Sequence, residues 1–285
     1  MNAGKVFMRF PGGVEKTLTL SYDDGVEQDI RFIEILNKYG IKATFNINSG
    51  CYSPEEMVFE EGDIHRRMTH SRAIELYKNS GHEVAVHTYS HPFLEALPPV
   101  TVAREVIEDR INLEKDYGKI IRGMAYPFGT LNDTVVDILK NAGIAYARTT
   151  VSTEKFSMPN DWLRLPATCH HRNPRLMELA EKFVNMEVLN HARMFYLWGH
   201  TYEFDEKDNW NVIEEFCEYM SGRDDIWYAT NIEIYDYVKA YESLVWSANL
   251  DMVYNPSAID VFFIYRPHQQ EKRIIEVKAG ETITF

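Results

Sequence analysis

The sequence predicts an α/β fold, a distorted and incomplete (β/α) barrel of about seven strands with a small C-terminal β appendage. Two observations predict it. Short apolar, strand-like runs alternate with helical stretches of ten or more residues, about seven times over roughly 240 residues, which is the signature of parallel βαβ units. Polar residues of acid, base and ligand type also fall just after several of those runs, where a parallel barrel carries its functional loops. A doubly wound open sheet is the alternative reading of the same alternation.

The elements follow in order. "KTLTLSY" (16–22) reads as a strand, and "EQDIRFIEILNKYG" (27–40) as a helix with Ile30, Ile33, Ile35 and Leu36 on its apolar side and Gly40 closing it. "KATFNI" (42–47) is the next strand. "THSRAIELYKNSG" (69–81) opens on a capping threonine, Thr69, ends at Gly81 and feeds the strand "HEVAVHT" (82–88). "TVAREVIEDRINLEKDYG" (101–118) and "NDTVVDILKNAG" (132–143) are helical, each followed by a strand, "GMAYPFG" (123–129) and "IAYARTT" (144–150). Three further helices, in 174–186, 209–222 and 231–246, alternate with the strands "ARMFYLWGH" (192–200) and "IWYAT" (226–230). After Trp246 the pattern changes to "MVYN", "AIDVFFIYR", "KRIIEVK" and "TITF", with turns at Asn255-Pro256 and Ala279-Gly280. The division expected is therefore a barrel over 1–246 and a β appendage over 247–285.

Composition sets limits. A chain of 285 residues with 45% hydrophobic and 26% charged residues fits one large globular domain with an appendage. Its net charge of −13, with no basic block, argues against nucleic acid or an anionic membrane as partner. Cys51, Cys169 and Cys217 are odd in number and far apart, which suggests reduced thiols rather than a disulfide framework. No apolar run reaches signal-peptide or membrane-span length, so a cytoplasmic protein is expected.

The chemistry starts at "SYDDGV". Asp23 and Asp24 follow the first strand, and adjacent buried carboxylates need a cation or a shared proton. Asn46 and Asn48 close the second strand, His87 and His91 follow "EVAV", and His200 follows "FYLWG". In "HTYSH" the two imidazoles are four residues apart and can aim at one metal ion. Two histidines and one carboxylate leave coordination positions open, the composition of a catalytic site. Asp24, His87 and His91 are the expected ligands, Asp23 the general base, and His200 a general acid from a late strand. Imidazole and carboxylate donors suit zinc, cobalt, nickel or iron, and availability puts zinc first.

The residues also resemble the polysaccharide deacetylases of carbohydrate esterase family 4, the NodB-homology group, over roughly residues 15–240. "SYDDG" is similar to the family's first motif and "HTYSH" to its second, which implies the same base and ligands. "AYPFG" (125–129) is similar to the third, where the family's aromatic residue supplies a backbone N–H to the oxyanion, a role that falls to Phe128. Ala125 stands where the family often has an arginine beside the catalytic aspartate, and Arg164 is the candidate substitute. The fourth motif, an Asp-Trp pair, is matched by Asp161 and Trp162. The fifth is similar to "LWGH", which implies His200 as the acid and Leu197 or Trp198 as the acyl-pocket lining. Tyr126, Trp162 and Trp198 fall near site loops where sugar rings can stack. Glu203 and Asp205 read as surface acids, and the "CHH" at 169–171 as structural or substrate-side.

The resemblance implies metal-dependent removal of N-acetyl groups from an amino sugar, oligosaccharide or polysaccharide. Three rivals stand beside it: a formyl or other acyl amide hydrolase on the same scaffold, a non-catalytic carbohydrate-binding descendant, and a non-haem iron oxygenase. The last shares the two-histidine, one-carboxylate triad, but the β/α alternation and the paired acid count against it.

Overall fold

The computed structural model describes residues 5–266 and 272–284; the remaining residues of the expected barrel and appendage lie outside it. Its centre is a nine-stranded parallel sheet that curls without closing. The strand order runs Leu165–Ala167, Tyr146–Ser152, Gly123–Ala125, Glu83–Val86, Ala43–Ile47, Lys16–Asp23, Arg193–Gly199 and Cys169–His170. Ile226–Tyr228 pairs with Lys16–Leu18, below the point where Ala43–Ile47 takes over at Leu20. The two short end strands were not legible in the sequence, because pieces of two or three residues carry no period.

Alternation within each strand decides what each layer holds. Leu18, Leu20 and Tyr22 pack outward with Phe45, Phe195 and Leu197 under the helices. Thr17, Thr19, Ser21 and Asp23 alternate with them and point into the barrel. That interior is polar where it meets partners: Thr19 donates to Asn231, and the Asn46 amide donates to Ser21 and Asp23 at 2.8 Å each. Tyr146, Tyr196 and Trp198 fill the rest of it.

The helices form for the expected local reasons. Asp29–Tyr39 ends at Gly40 in the left-handed conformation (φ 64°). His70–Tyr77 is capped by the Thr69 side chain. Asn231–Glu242 begins with a reciprocal capping box between Thr230 and Glu233, and its Asn231 reaches into the barrel floor. No helix among the described residues is long and apolar enough to cross a membrane.

The C-terminal residues form two three-stranded antiparallel sheets. One of them includes Lys5–Arg9, whose Lys5 pairs with Arg266 and Arg9 with Phe262. Lys5–Arg9 thereby joins the appendage to the barrel, where Arg9 donates to the Asn190 carbonyl at 2.7 Å and its own carbonyl accepts from the Tyr237 hydroxyl. Val253, Val261, Phe263 and Val277 pack there against Ala240 and Leu244 at the end of the last barrel helix. The three cysteines are free thiols, two of them buried.

Candidate active site and metal centre

Because the central strands run parallel, their C-terminal ends open on one side, and the acids, histidines and asparagines singled out in the sequence gather there. Asp24 (φ 87°), His91 (φ 57°) and Phe128 (φ 56°) all take the left-handed backbone that non-glycine residues avoid. Such outliers cluster where surroundings over-determine them, commonly at functional sites. Gly129 (φ 71°) follows Phe128, and a Cβ there would lie 2.2 Å from Thr150 Oγ1, so only glycine fits.

The candidate ligand atoms of Asp24, His87 and His91 lie within 4.8 Å of one another. Asp24 Oδ1 is 3.9 Å from His87 Nε2 and 3.8 Å from His91 Nε2, too far for hydrogen bonds and the spacing of groups that share a third body. His87 Nδ1–H donates to the Ala125 carbonyl at 2.8 Å, which leaves Nε2 as the unprotonated nitrogen. Burial pushes His87 down to about 4 and His91 down as well, so both imidazoles are neutral. Burial would raise Asp24, but His65 and Arg67 hold it well below the carboxylate range. Neutral imidazoles and an ionised carboxylate are what a divalent cation requires, and the donor set fits one.

Asp24 is also clamped from outside. Arg67 Nη2 donates to its Oδ1 at 2.8 Å, Arg67 Nη1 to its backbone carbonyl and to Asn48 Oδ1, and His65 Nε2 to its Oδ2 at 3.1 Å. Asn48 in turn donates to the carbonyls of His87 and Thr88. Asp109, fully buried and pushed up to about 7 by that burial, accepts from the His87 backbone N–H at 3.0 Å. Of these supports the sequence pointed only to Asn48, at the end of its strand: Arg67 lies in a long loop, and Asp109 is one acid in a charged helix.

Asp23 is buried beside this set. It accepts from Asn46 at 2.8 Å and from the guanidinium of Arg148, and its Oδ2 lies 3.9 Å from His87 Nε2 and 3.8 Å from His200 Nε2. Burial would raise its pKa, but Arg148, with His87 and His200, leaves it below the usual carboxylate range. Arg148 therefore takes the place that the sequence left open at Ala125, and Arg164 does not. Arg164 is exposed and pairs with Asp161 at 2.8 Å and Asp133 at 2.5 Å.

His200 presents Nε2 to Asp23, and its Nδ1 stands 3.4 Å from Glu203 Oε1. Burial would lower its pKa, yet Glu203, Asp23 and Asp24 raise it from the ordinary histidine value, which favours the protonated form. Glu203 is buried, not a surface acid. Its Oε2 lies 2.8 Å from His171 Nε2, 3.2 Å from His170 Nε2 and 3.4 Å from Arg172 Nε. The "CHH" stretch is thus the wall around Glu203. Asp205 is also structural, accepting from Gln28, Arg66 and Trp210.

The remaining candidates divide. Trp198 lies at the site, with the Arg148 guanidinium 4.5 Å above its ring and His170 against its face. Leu197, next to it on the strand, points the other way into the helix-side core, since successive side chains alternate. Tyr126 is buried with its hydroxyl on the Leu163 carbonyl at 2.7 Å, so it offers no stacking face. Trp162 packs edge-on against Tyr235, whose neighbour Asp236 pairs with Arg122 at the start of Gly123–Ala125. That is the opposite end of the sheet from Asp23. The Trp162 ring is thus turned away from Asp23, Asp161 pairs with Arg164, and it is Glu203 that stands by His200.

Residues 12–147 match the model of a family described as polysaccharide deacetylase. The chain is 28% identical over 148 residues to a chitooligosaccharide deacetylase of Sinorhizobium fredii (strain NBRC 101917 / NGR234), covering 51% of this chain and 59% of that one. It is 22% identical over 156 residues to a chitin deacetylase of a Pestalotiopsis species, covering 54% and 48%. The match thus spans about half the length of these curated relatives. In fold, the chain is similar to a Mycobacterium smegmatis protein provisionally named a polysaccharide deacetylase. The TM-score is 0.57 at 16% identity, over 82% of this chain and 93% of that one.

Proposed function

From the premise that residues 12–147 belong to the polysaccharide deacetylase family, we propose that this chain hydrolyses the N-acetyl group of an amino sugar in a carbohydrate, releasing acetate and a free amine. The observation that carries the reading is the position of Asp23. One carboxylate stands within 3.9 Å of both a ligand imidazole and His200, so base, ligand set and acid converge on one point.

Asp24, His87 and His91 would hold a divalent cation: zinc, cobalt, nickel or iron by the donor set, with zinc first by availability. The cation supplies Lewis-acid chemistry, polarising the acetyl carbonyl and acidifying water. Asp23, kept ionised by Arg148, accepts the proton of the attacking water. The water oxygen bonds to the acetyl carbon, and the backbone N–H of Phe128 stabilises the charge that builds on the former carbonyl oxygen. His200 then gives its proton to the sugar nitrogen as the C–N bond breaks. Glu203 keeps His200 oriented and charged through that step, and Trp198 lines the pocket beside Arg148.

The test pairs metal content by elemental analysis with acetate release from N-acetylglucosamine oligomers. About one metal per chain is expected, retained in Asp23→Asn and lost in His87→Ala, with acetate release lost in both. Metal-free wild type after reconstitution, or undiminished release from Asp23→Asn, would sink the mechanism.

A further inference from the structure

The two neighbouring acids at the end of the first barrel strand each meet a guanidinium of their own, Arg148 on Asp23 and Arg67 on Asp24. Arg67 does more than neutralise. Its Nη2 donates to Asp24 Oδ1 at 2.8 Å, while its Nη1 donates both to the Asp24 backbone carbonyl and to Asn48 Oδ1, the latter at 2.6 Å. The Asn48 amide in turn donates to the carbonyls of His87 and, at 2.9 Å, Thr88. One unbroken chain of hydrogen bonds therefore runs from the first ligand to the backbone that carries the second.

Both ends of that chain fall on strained backbone. Asp24 (φ 87°) and Thr88 (φ 66°) hold the left-handed conformation that residues with a side chain avoid, and theirs are the carbonyls that Arg67 and Asn48 hold. Such conformations persist only where the surroundings over-determine them. Arg67 is itself fixed through the main chain, because Met68 N–H donates to the Gly25 carbonyl at 3.0 Å and Glu27 N–H to the Arg66 carbonyl at 2.8 Å. The loop is thus stitched to the turn that follows Asp24. Charge and geometry here act in opposite directions: a guanidinium on the ligand oxygen opposes a divalent cation at that oxygen, whereas a rigid fork holding three acceptors keeps the oxygen aimed.

We propose that Arg67 is a positioning residue for the metal: by bridging Asp24 to Asn48 it locks the Asp24 and His87 loops into one arrangement, and so sets how tightly the site holds a divalent cation. This rests on the ligand set of the deacetylase reading and adds what tunes it. Geometry outweighs charge. Arg67 touches no reacting atom.

The experiment measures cobalt affinity by titration and zinc affinity by competition with a chromophoric chelator, together with the visible absorption of the cobalt protein. The proteins compared are wild type, Arg67→Met, Arg67→Lys, Asn48→Ala and the double variant Arg67→Met, Asn48→Ala. Melting temperatures of the metal-free proteins report which of them fold, and acetate release is read alongside. Arg67→Met should weaken both metals about 10- to 100-fold and shift the cobalt bands. Arg67→Lys keeps the charge without the fork and should bind as weakly as Arg67→Met. Asn48→Ala should show a comparable loss, and the double variant should fall within roughly twofold of the weaker single one, since a chain already broken is not broken again. Wild-type affinity and spectrum in Arg67→Met would overturn the bridge, as would tighter binding, which would mean that only the charge is felt. Wild-type affinity in Arg67→Lys, or losses that add in full in the double variant, would overturn it too. These outcomes leave the deacetylase reading in place. Metal binding that depends on Arg67 without acetate release in the wild type would keep the bridge and sink the activity; a wild type that binds no metal would overturn both. Asn48 is buried, and if its variants do not fold the two Arg67 variants decide.

Discussion

Arg148 stands directly across from Ala125 in the parallel pairing of their strands, and from there its guanidinium reaches Asp23. The arginine expected on one strand is supplied by its neighbour, and the small Ala125 leaves the space it crosses. Arg148 is fully buried, with its ring-facing side on Trp198.

Removing Arg148 would leave Asp23 buried without its cation, a loss that typically costs about 3–5 kcal/mol. Arg148→Ala is therefore expected to lower both stability and acetate release, the latter by at least about tenfold. The register makes a sharper demand. In the double variant Ala125→Arg, Arg148→Ala, the guanidinium returns from the opposite strand, and acetate release should recover severalfold over the single variant. A double variant no better than Arg148→Ala would mean that position 125 cannot serve Asp23.

Glu203 reaches His200 from one helical turn onward, on Tyr202–Lys207. Its substitution tests the acid without touching the ligand set. Glu203→Gln keeps the shape but removes the charge that holds the proton on His200, so kcat should fall about 10- to 100-fold while bound metal and KM stay near wild type. A loss of metal in Glu203→Gln, or an unchanged kcat, would contradict a role for Glu203 in keeping His200 charged.

How much of this was legible depended on whether the signal is local. The βαβ alternation and the order of strand ends were readable because period and position carry them, and the same rule placed Asp23, Asp24, His87, His91 and His200 at one end of the sheet. What escaped was set by pairing across strands. Arg148 looks like one polar residue in "IAYARTT" until its register with Ala125 is known. Glu203 looks like a surface acid until the short helix after His200 turns it inward against His170 and His171. Leu197 and Trp198 are equally apolar neighbours, and only strand direction says which of them faces the site. Lys5–Arg9 lacks any pattern linking it to 261–266, a pairing made across the whole chain.

A last prediction concerns stability rather than chemistry. Asp29 begins the first helix, fully buried, accepting from the hydroxyls of Tyr77 and Thr201, the residue next to His200. Burial outweighs those two bonds and pushes its carboxyl up to about 7, from an ordinary value of 3.8. A raised acid favours the folded state fully below the unfolded pKa, and that contribution is lost as pH rises through the folded one. Between about pH 4 and 7 the wild type should therefore lose stability on account of Asp29, on the order of 4 kcal/mol at about 1.4 kcal/mol per pKa unit. Buried histidines tilt the other way: His82, pushed down to about 4 by burial, costs stability as pH falls. The wild-type curve alone mixes both, so the comparison is with Asp29→Asn. Its amide can accept from Thr201 and donate to the Tyr77 oxygen without titrating. Urea unfolding of the metal-free proteins at several pH values should show the stability of Asp29→Asn rising relative to wild type from pH 4 to 7 and levelling above it. Parallel curves would mean that Asp29 is ionised in the folded protein throughout, its two hydroxyl bonds having outweighed its burial.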